Sequence, residues 1–390
     1  MKQGWEYKKL GEVCTIERGG SPRPITDYIT DSEDGINWIK IGDAQEGSKY
    51  ITSTKEKIRP EGIKKSRFVH KGDFILSNSM SFGRPYILKV DGCIHDGWLV
   101  IHDDNEVFIK DYLYYILSSS IMYAKFSQLA VGGVVNNLNS SLVRKVAIPI
   151  PPKSTQLSIV SELDKINELI RLKKEQLKDY DNLAQSIFYE MFGDPVENEK
   201  GWEVKKLGEV CTIERGSSPR PITAYITDSK DGINWIKIGD AQEGSKYITS
   251  TKEKIKPEGL KKSRFVHKGD FILSNSMSFG KPYILKIDGC IHDGWLVIHD
   301  NNNVFIKIYL YYLLASSIMY AKFSKLAVGG VVNNLNSSLV RKVDVSIPPL
   351  PLQHIFAQRI EQIEHQKSEV TKAITDLETL LASRMQHWFE

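Results

Sequence analysis

Hydrophobic positions along this chain follow two rhythms. Short runs that are apolar or nearly so, such as Phe74-Ile75-Leu76, Tyr86 to Val90 with its single Lys89, and Trp98 to Ile101, read as strands. The stretch from Ile109 to Leu129 keeps helical spacing, with Tyr112, Ile116, Ile121 and Ala124 among its apolar positions. Strands mixed with such a stretch predict an α+β domain. A different pattern follows the proline-rich segment Ile148-Pro149-Ile150-Pro151-Pro152, which bars helix locally. Ile159, Leu163, Ile166, Ile170, Lys173, Leu177, Tyr180, Ala184, Ile187 and Met191 succeed one another at alternating steps of four and three, the seam of a coiled coil.

The whole pattern occurs twice. Gly4-Trp5-Glu6 returns as Gly201-Trp202-Glu203, and about 129 of the 143 positions from Gly4 to Val146 are identical to their mates at a constant offset of 197, without an insertion. A repeat of that length is a domain with its own core rather than a solenoid unit. Identity ends at Val146 and Val343, but the seam persists at the same offset as Phe356, Ile360, Ile363, Lys367, Val370, Ile374, Leu377, Leu381, Arg384 and Trp388. The expected organisation is a reading domain over 1–153, a helix over 154–193, a second domain over 194–350 and a second helix over 351–390. A two-fold duplication makes the helices antiparallel partners, with Leu177 opposite Val370, Lys173 opposite Ile374 and Tyr180 opposite Lys367. The fold expected is therefore two pseudo-symmetric mixed α/β domains separated by an antiparallel two-helix coiled coil.

Composition narrows the class. No run approaches the roughly 18 apolar residues needed to span a bilayer, and the first residues lack a signal-peptide core, so a cytoplasmic protein is expected. Cys14, Cys93, Cys211 and Cys290 are isolated within apolar stretches and read as buried thiols, not as a disulfide or metal framework. The net charge is only +4. Both helices are slightly acidic, so about ten positive charges in excess belong to the repeats, an average near five each, which suits contact with phosphates.

Three loop segments have the composition of a base-reading surface. Arg18-Gly19-Gly20-Ser21-Pro22-Arg23-Pro24 offers two guanidiniums on a turn, suited to forked contacts with guanine or phosphate. Ser77, Asn78, Ser79, Ser81 and Arg84 follow a strand and carry hydroxyl and amide groups that pair with adenine or phosphate. Asn136, Asn137 and Asn139 add further amides. The second copy keeps Arg215, Arg220, Ser274, Asn275, Ser276, Ser278, Asn333, Asn334 and Asn336, and places Lys281 where Arg84 stands. Apart from that exchange and Gly20, which is Ser217, these loops are unchanged, which implies that both domains read the same short sequence. Tyr112, Tyr114, Tyr115 and Tyr123 are spaced for packing rather than for stacking on bases. His95-Asp96 and His102-Asp103 lack a third ligand and read as structural, so neither a metal nor another cofactor is expected.

The Trp-Glu-x-Lys-Lys-Leu-Gly-Glu-Val opening (Trp202 to Val210, with Trp5 to Val13 nearly the same), Gly35 to Asp43, Lys71 to Leu76, and the approach from Asn-Leu-Asn to Ile-Pro-x-Pro-Pro with Gln156 beyond it resemble the specificity subunits of Type I restriction-modification systems. The resemblance covers essentially the whole chain. It implies a subunit without an active site that binds double-stranded DNA and docks two DNA-adenine methyltransferase subunits, with ATP-driven restriction subunits in the larger assembly. The absence of an Asn-Pro-Pro-Tyr motif, of a methyl-donor glycine loop and of a phosphate-binding loop agrees with that. Family members usually carry two different domains and read an asymmetric bipartite target; the near-identity here predicts an interrupted palindrome. Two other readings stand beside this one. A free-standing DNA-binding regulator would need no methyltransferase, and a duplicated enzyme would need a cluster of nucleophile, base and acid that the isolated His-Asp pairs do not supply.

Overall fold

Why the apolar runs become strands is plain from where their side chains go. Alternate residues of one run point to opposite faces of a sheet, so a run that is apolar at every position must be covered on both sides. The computed structural model of the chain describes residues 4–45, 47–78, 83–130, 138–242, 244–276, 279–327 and 335–390. It divides into two compact units, residues 1–174 with 372–390 and residues 175–371.

The first unit contains strands β1 (Glu6–Lys9), β2 (Thr15–Arg18), β3 (Ile29–Thr30), β4 (Ile36–Ile39), β5 (Tyr50–Ile51), β6 (Glu56–Ile58), β7 (Arg67–Val69), β8 (Phe74–Ser77), β9 (Pro85–Leu88), β10 (Gly92–Ile94), β11 (Trp98–His102) and β12 (Ala147–Ile150). One five-stranded sheet has the order β2-β11-β8-β9-β5 and a second the order β3-β6-β4-β10-β7, while β1 pairs with β12. Phe74, Leu76, Leu99 and Ile101 leave the first sheet on one face and join a core with Tyr112, Ile116 and Phe126 of helices Lys110–Ser118 and Ser120–Ala130. Ile75, Trp98 and Val100 leave the other face and meet Ile39, Val69 and Ile94 of the second sheet. The layers are thus helices, sheet, sheet. The second unit repeats them, with Phe271 and Leu273 on one face and Ile272 and Trp295 on the other.

Both seams form helices of 40 residues, Lys153–Phe192 and Leu350–Phe389, which start immediately after or at the connector prolines, where a missing N–H costs nothing. Every seam position in both helices is buried or half-buried, and most polar positions between them are exposed, with Glu162, Gln176 and Glu364 half-buried. Within the first unit the Glu162 carboxylate receives the Arg384 guanidinium and the Trp388 indole N–H (2.9 Å), and Lys174 pairs with Glu378 at 2.8 Å. Advance along one helix is retreat along the other: the pair is antiparallel. In the second unit Lys367, which the heptad register sets opposite Tyr180, turns its ammonium to Asp181, 2.6 Å away, and so avoids an unpaired charge in the seam.

The ends of the helices complete the cores in a way that chain order does not suggest. Phe389, at the end of the second helix, packs on Tyr112 in the first unit. Its counterpart Phe192, at the end of the first helix, lies 4.7 Å from Tyr309 and 5.3 Å from Phe356 in the second unit, with Phe188 beside it. Each unit therefore holds the beginning of one helix and the end of the other. All four cysteines are buried and free, and burial pushes the Cys14 and Cys211 thiols up to about 12. Among the described residues no helix is long and apolar enough to cross a membrane.

Candidate nucleic-acid interface

Strand β2 delivers Arg18 to the top of the first unit, where the chain folds over the connection between β10 and β11. Gly19 is required there, because a Cβ would lie 2.2 Å from the His95 carbonyl oxygen. The Gly19 N–H donates to the Trp98 carbonyl (2.9 Å), the Gly20 N–H to that of Ile94 (3.1 Å), and the Ser66 hydroxyl to the Gly20 carbonyl (2.7 Å). With its backbone pinned, the loop presents two guanidiniums to one acid. Arg18 Nε donates to the Asp96 carbonyl oxygen (2.9 Å), and the Arg23 guanidinium stands 3.5 Å from the Asp96 carboxylate with its side chain 81% exposed. The Ser21 hydroxyl donates to the same carboxylate at 2.7 Å. That hydrogen bond, helped by the residue's own amide, His95 and Arg18, holds the Asp96 carboxyl below its ordinary range against the opposing effect of burial.

The same turn gathers the other two loops. Asn78 Nδ2 donates to the Asp96 carbonyl (2.9 Å) and its backbone N–H to that of Gly97 (2.9 Å), while its own carbonyl accepts from the Leu138 N–H (2.9 Å). The three segments chosen from composition are therefore stitched around Asp96-Gly97. In the second unit Arg215 and Asn275 donate to the Asp293 carbonyl (2.8 and 3.0 Å), Ser218 and Arg220 meet its carboxylate (2.9 and 3.6 Å), and Leu335 bonds Asn275 (2.8 Å). There burial raises the Asp293 carboxyl, but the Ser218 hydroxyl, the backbone and His292 outweigh it and the net shift is downward.

Residue by residue, the expected reading groups separate. Arg18, Arg23, Arg215 and Arg220 face solvent from fixed loops. Arg84 and Lys281 are exposed on the neighbouring loop, and Ser276 is half-buried. Ser77, Asn78, Ser274 and Asn275, expected to offer hydroxyls and amides outward, are buried instead. Ser77 and Ser274 accept the backbone N–H groups of Arg84 (3.0 Å) and Lys281 (2.9 Å), so these polar groups close the loop rather than read through it. Asn139 and Asn336 cap the short helices Ser140–Arg144 and Ser337–Arg341, accepting from Leu142 and Leu339 at 3.0 Å. Ser79, Ser81, Asn136, Asn137, Ser278, Asn333 and Asn334 lie outside the described residues.

The residue that organises the site, Asp96, is half of a His-Asp pair that reads as structural in the sequence. Its sequence signal is weak: two exposed arginines on one turn need no carboxylate, and only the position of Asp96 between two strand-like runs distinguishes it from other acids. His95 itself packs edge-on to Trp38, faces the N–H groups of Gly97 (2.6 Å) and Ile41 (3.3 Å), and is held neutral by burial. Asp103 accepts from the Val107 and Phe108 N–H groups at 2.9 and 2.6 Å and closes a turn. Among the tyrosines, Tyr112 is buried and donates to the Pro149 carbonyl, whereas Tyr123 is exposed. Among the described residues no cluster of three metal-ligating side chains occurs.

The geometry defines a duplicated scaffold that displays fixed arginines from rigid sheets. The model of the Type I restriction modification DNA specificity domain matches it twice, over residues 2–179 and 199–379, and the chain belongs to that family. It is 24% identical over 418 residues to the putative Type I restriction enzyme MjaX specificity subunit of Methanocaldococcus jannaschii, covering 98% of this chain and 93% of that one. With the MjaIX specificity subunit of the same organism the identity is 27% over 263 residues, spanning 63% of this chain and 60% of the relative. Its fold matches a structure solved in work on assembly and conformational transition of the type I R-M system, with a TM-score of 0.67 at 19% identity over 99% of this chain and 97% of that one. The S subunit of a Type I system from M. genitalium gives a TM-score of 0.50 at 13% identity over 100% and 98%.

Proposed function

We propose that the chain is a sequence-reading and scaffolding subunit with no chemistry of its own. Segments 1–153 and 194–350 read double-stranded DNA, and the helices 154–193 and 351–390 present the docking surface for two DNA-adenine methyltransferase subunits and, in the larger assembly, ATP-dependent restriction subunits. The observation that carries this reading is the convergence of three loops on Asp96 and again on Asp293, which fixes exposed arginines. A guanidinium held by a carboxylate is pre-aimed, the condition for forked contacts with guanine O6 and N7. Because both units carry the same loops, the target is an interrupted palindrome, with one methylated adenine in each half.

Co-expression with the partner methyltransferase and methylation-sensitive sequencing of host DNA test this. The expected result is one bipartite inverted motif that disappears in the Arg23→Ala, Arg220→Ala variant. Two unrelated half-sites would overturn the palindrome. Methyl transfer by the purified chain alone would overturn the non-catalytic role.

A further inference from the structure

The two units are nearly identical in sequence but not in charge. Residues 4–146 carry 19 Lys and Arg against 18 Asp and Glu, whereas 201–343 carry 21 against 13. The average of about five positive charges per repeat therefore conceals a near-neutral first copy and a strongly basic second one. Only 14 positions differ over this span. Six of them change charge, and all six make the second copy more positive: Asp27 to Ala224, Glu33 to Lys230, Asp104 to Asn301, Glu106 to Asn303, Asp111 to Ile308 and Gln128 to Lys325. Six changes of independent sign would agree in this way about once in 30.

The placement of these changes matters as much as their sum. Asp27 closes the turn Ile25–Asp27 that continues the arginine loop, and Glu33 lies on the next exposed turn, so three units of charge change within ten residues of Arg23. Asp104 meets Thr15, at the far end of the β2–β11 ladder from Arg18. At about 3.4 Å per residue that end is roughly a Debye length from the arginines at physiological salt, so it adds to the long-range field and not to contact. Asp111 is paired with Lys49 at 2.5 Å; its loss leaves no unbalanced lysine, because Lys246 in the second unit finds Glu364 at 2.5 Å. Arg18, Arg23 and Asp96 recur unchanged as Arg215, Arg220 and Asp293, and Arg84 becomes Lys281 with its charge kept. Base-facing chemistry is thus shared by the copies, while attraction to phosphate is not.

Resting on the DNA-reading function above, we propose that the units divide the work of binding: the second is the electrostatic anchor, which captures DNA of any sequence, and the first, close to neutral, binds only when its base contacts are made and so discriminates. Counterion release makes the anchor's share of affinity steeply salt-dependent, with a slope of about −0.9 in log K against log salt per phosphate neutralised.

The test uses the full-length chain and a random-sequence duplex of about 40 base pairs, with binding followed by anisotropy from 50 to 300 mM NaCl. Ala224→Asp with Lys230→Glu gives the second unit the first unit's charges beside the arginine loop, three of the seven charge units that separate the copies; Asp27→Ala with Glu33→Lys does the reverse. All four positions are exposed, and thermal melts verify that the fold is kept. The first variant is expected to lose at least tenfold in affinity and to flatten the slope by one to three; the second is expected to gain affinity and steepen it. Equal and small effects of both exchanges, or a loss in the first variant with an unchanged slope, would overturn the division of labour. No binding of the wild-type chain to any duplex would instead sink the DNA-reading function itself.

Discussion

Replacing Asp96 and Asp293 by asparagine separates positioning of the arginines from attraction to DNA, because the two effects have opposite signs. The Asp96 side chain is 42% exposed, with Arg18 and Arg23 at 4.0 and 3.5 Å and themselves largely exposed, so after solvent screening each ion pair contributes about 0.2 to 1 kcal/mol. Asparagine still accepts from Ser21, but as a neutral partner, losing about 1 kcal/mol more. Each unit should then be destabilised by about 1 to 2 kcal/mol, too little to unfold it. Binding to random DNA should rise slightly, since one negative charge per unit is removed; at about 8 Å in screened water that is worth roughly 0.2 to 0.5 kcal/mol. Binding to the true target should fall, because Arg23, released from the carboxylate while Arg18 keeps its bond to the Asp96 backbone carbonyl, forfeits part of the roughly 1 to 3 kcal/mol of a forked base contact. The ratio of target to random affinity, measured by anisotropy on the methylated-motif duplex and a scrambled one, is expected to drop tenfold or more. A parallel fall on both duplexes, or an unchanged ratio, would refute the role given to Asp96. The carboxyl lies below its ordinary value of 3.8, so its contribution is complete above about pH 4 and is lost only as the pH falls through the lowered value; the loop stays organised at neutral pH.

Arg23→Ala with Arg220→Ala should cost about 1 to 3 kcal/mol per half-site on the target if the contact is to guanine, read by the same assay; wild-type affinity for both duplexes would remove this loop from the interface. His95 and His292 are held neutral below the ordinary value of 6.5, so stability should be full above pH 6.5 and decline as the pH drops below it, a slope in thermal melts that His95→Gln with His292→Gln should flatten. Leu163→Ala removes a fully buried seam side chain and should cost about 2 to 5 kcal/mol in denaturant titrations, against a fraction of that for the half-buried Leu177→Ala. A chain ending at Gly193 would leave Ala184, Phe188 and Phe192 without the core they fill in the second unit, and is expected to dimerise by inserting them into the matching sites of another copy; a stable monomer by sedimentation would contradict the exchange of helix ends.

Much of this architecture was open to sequence reasoning because it rests on periodicity. Steps of four and three put one residue per turn on the same stripe of a helix whatever surrounds it, and runs such as Phe74-Ile75-Leu76 can satisfy their side chains only between two layers. The α+β class and the seam followed from these, while the repeat followed from identity at an offset of 197 and the antiparallel pairing from that repeat. The loops were found but their members were not sorted, since Ser77, Asn78 and Asn139 are the same residue types whether they face DNA, close a turn or cap a helix. Only tertiary contact decided that: Asp96, 78 residues from Arg18, accepts from both Arg18 and Asn78 through its backbone carbonyl. The exchange of helix ends was equally hidden. Phe192 belongs by order to the helix that leaves the first domain, but its side chain is indifferent to order, and it settles where Tyr309 and Phe356 leave an apolar space of its shape.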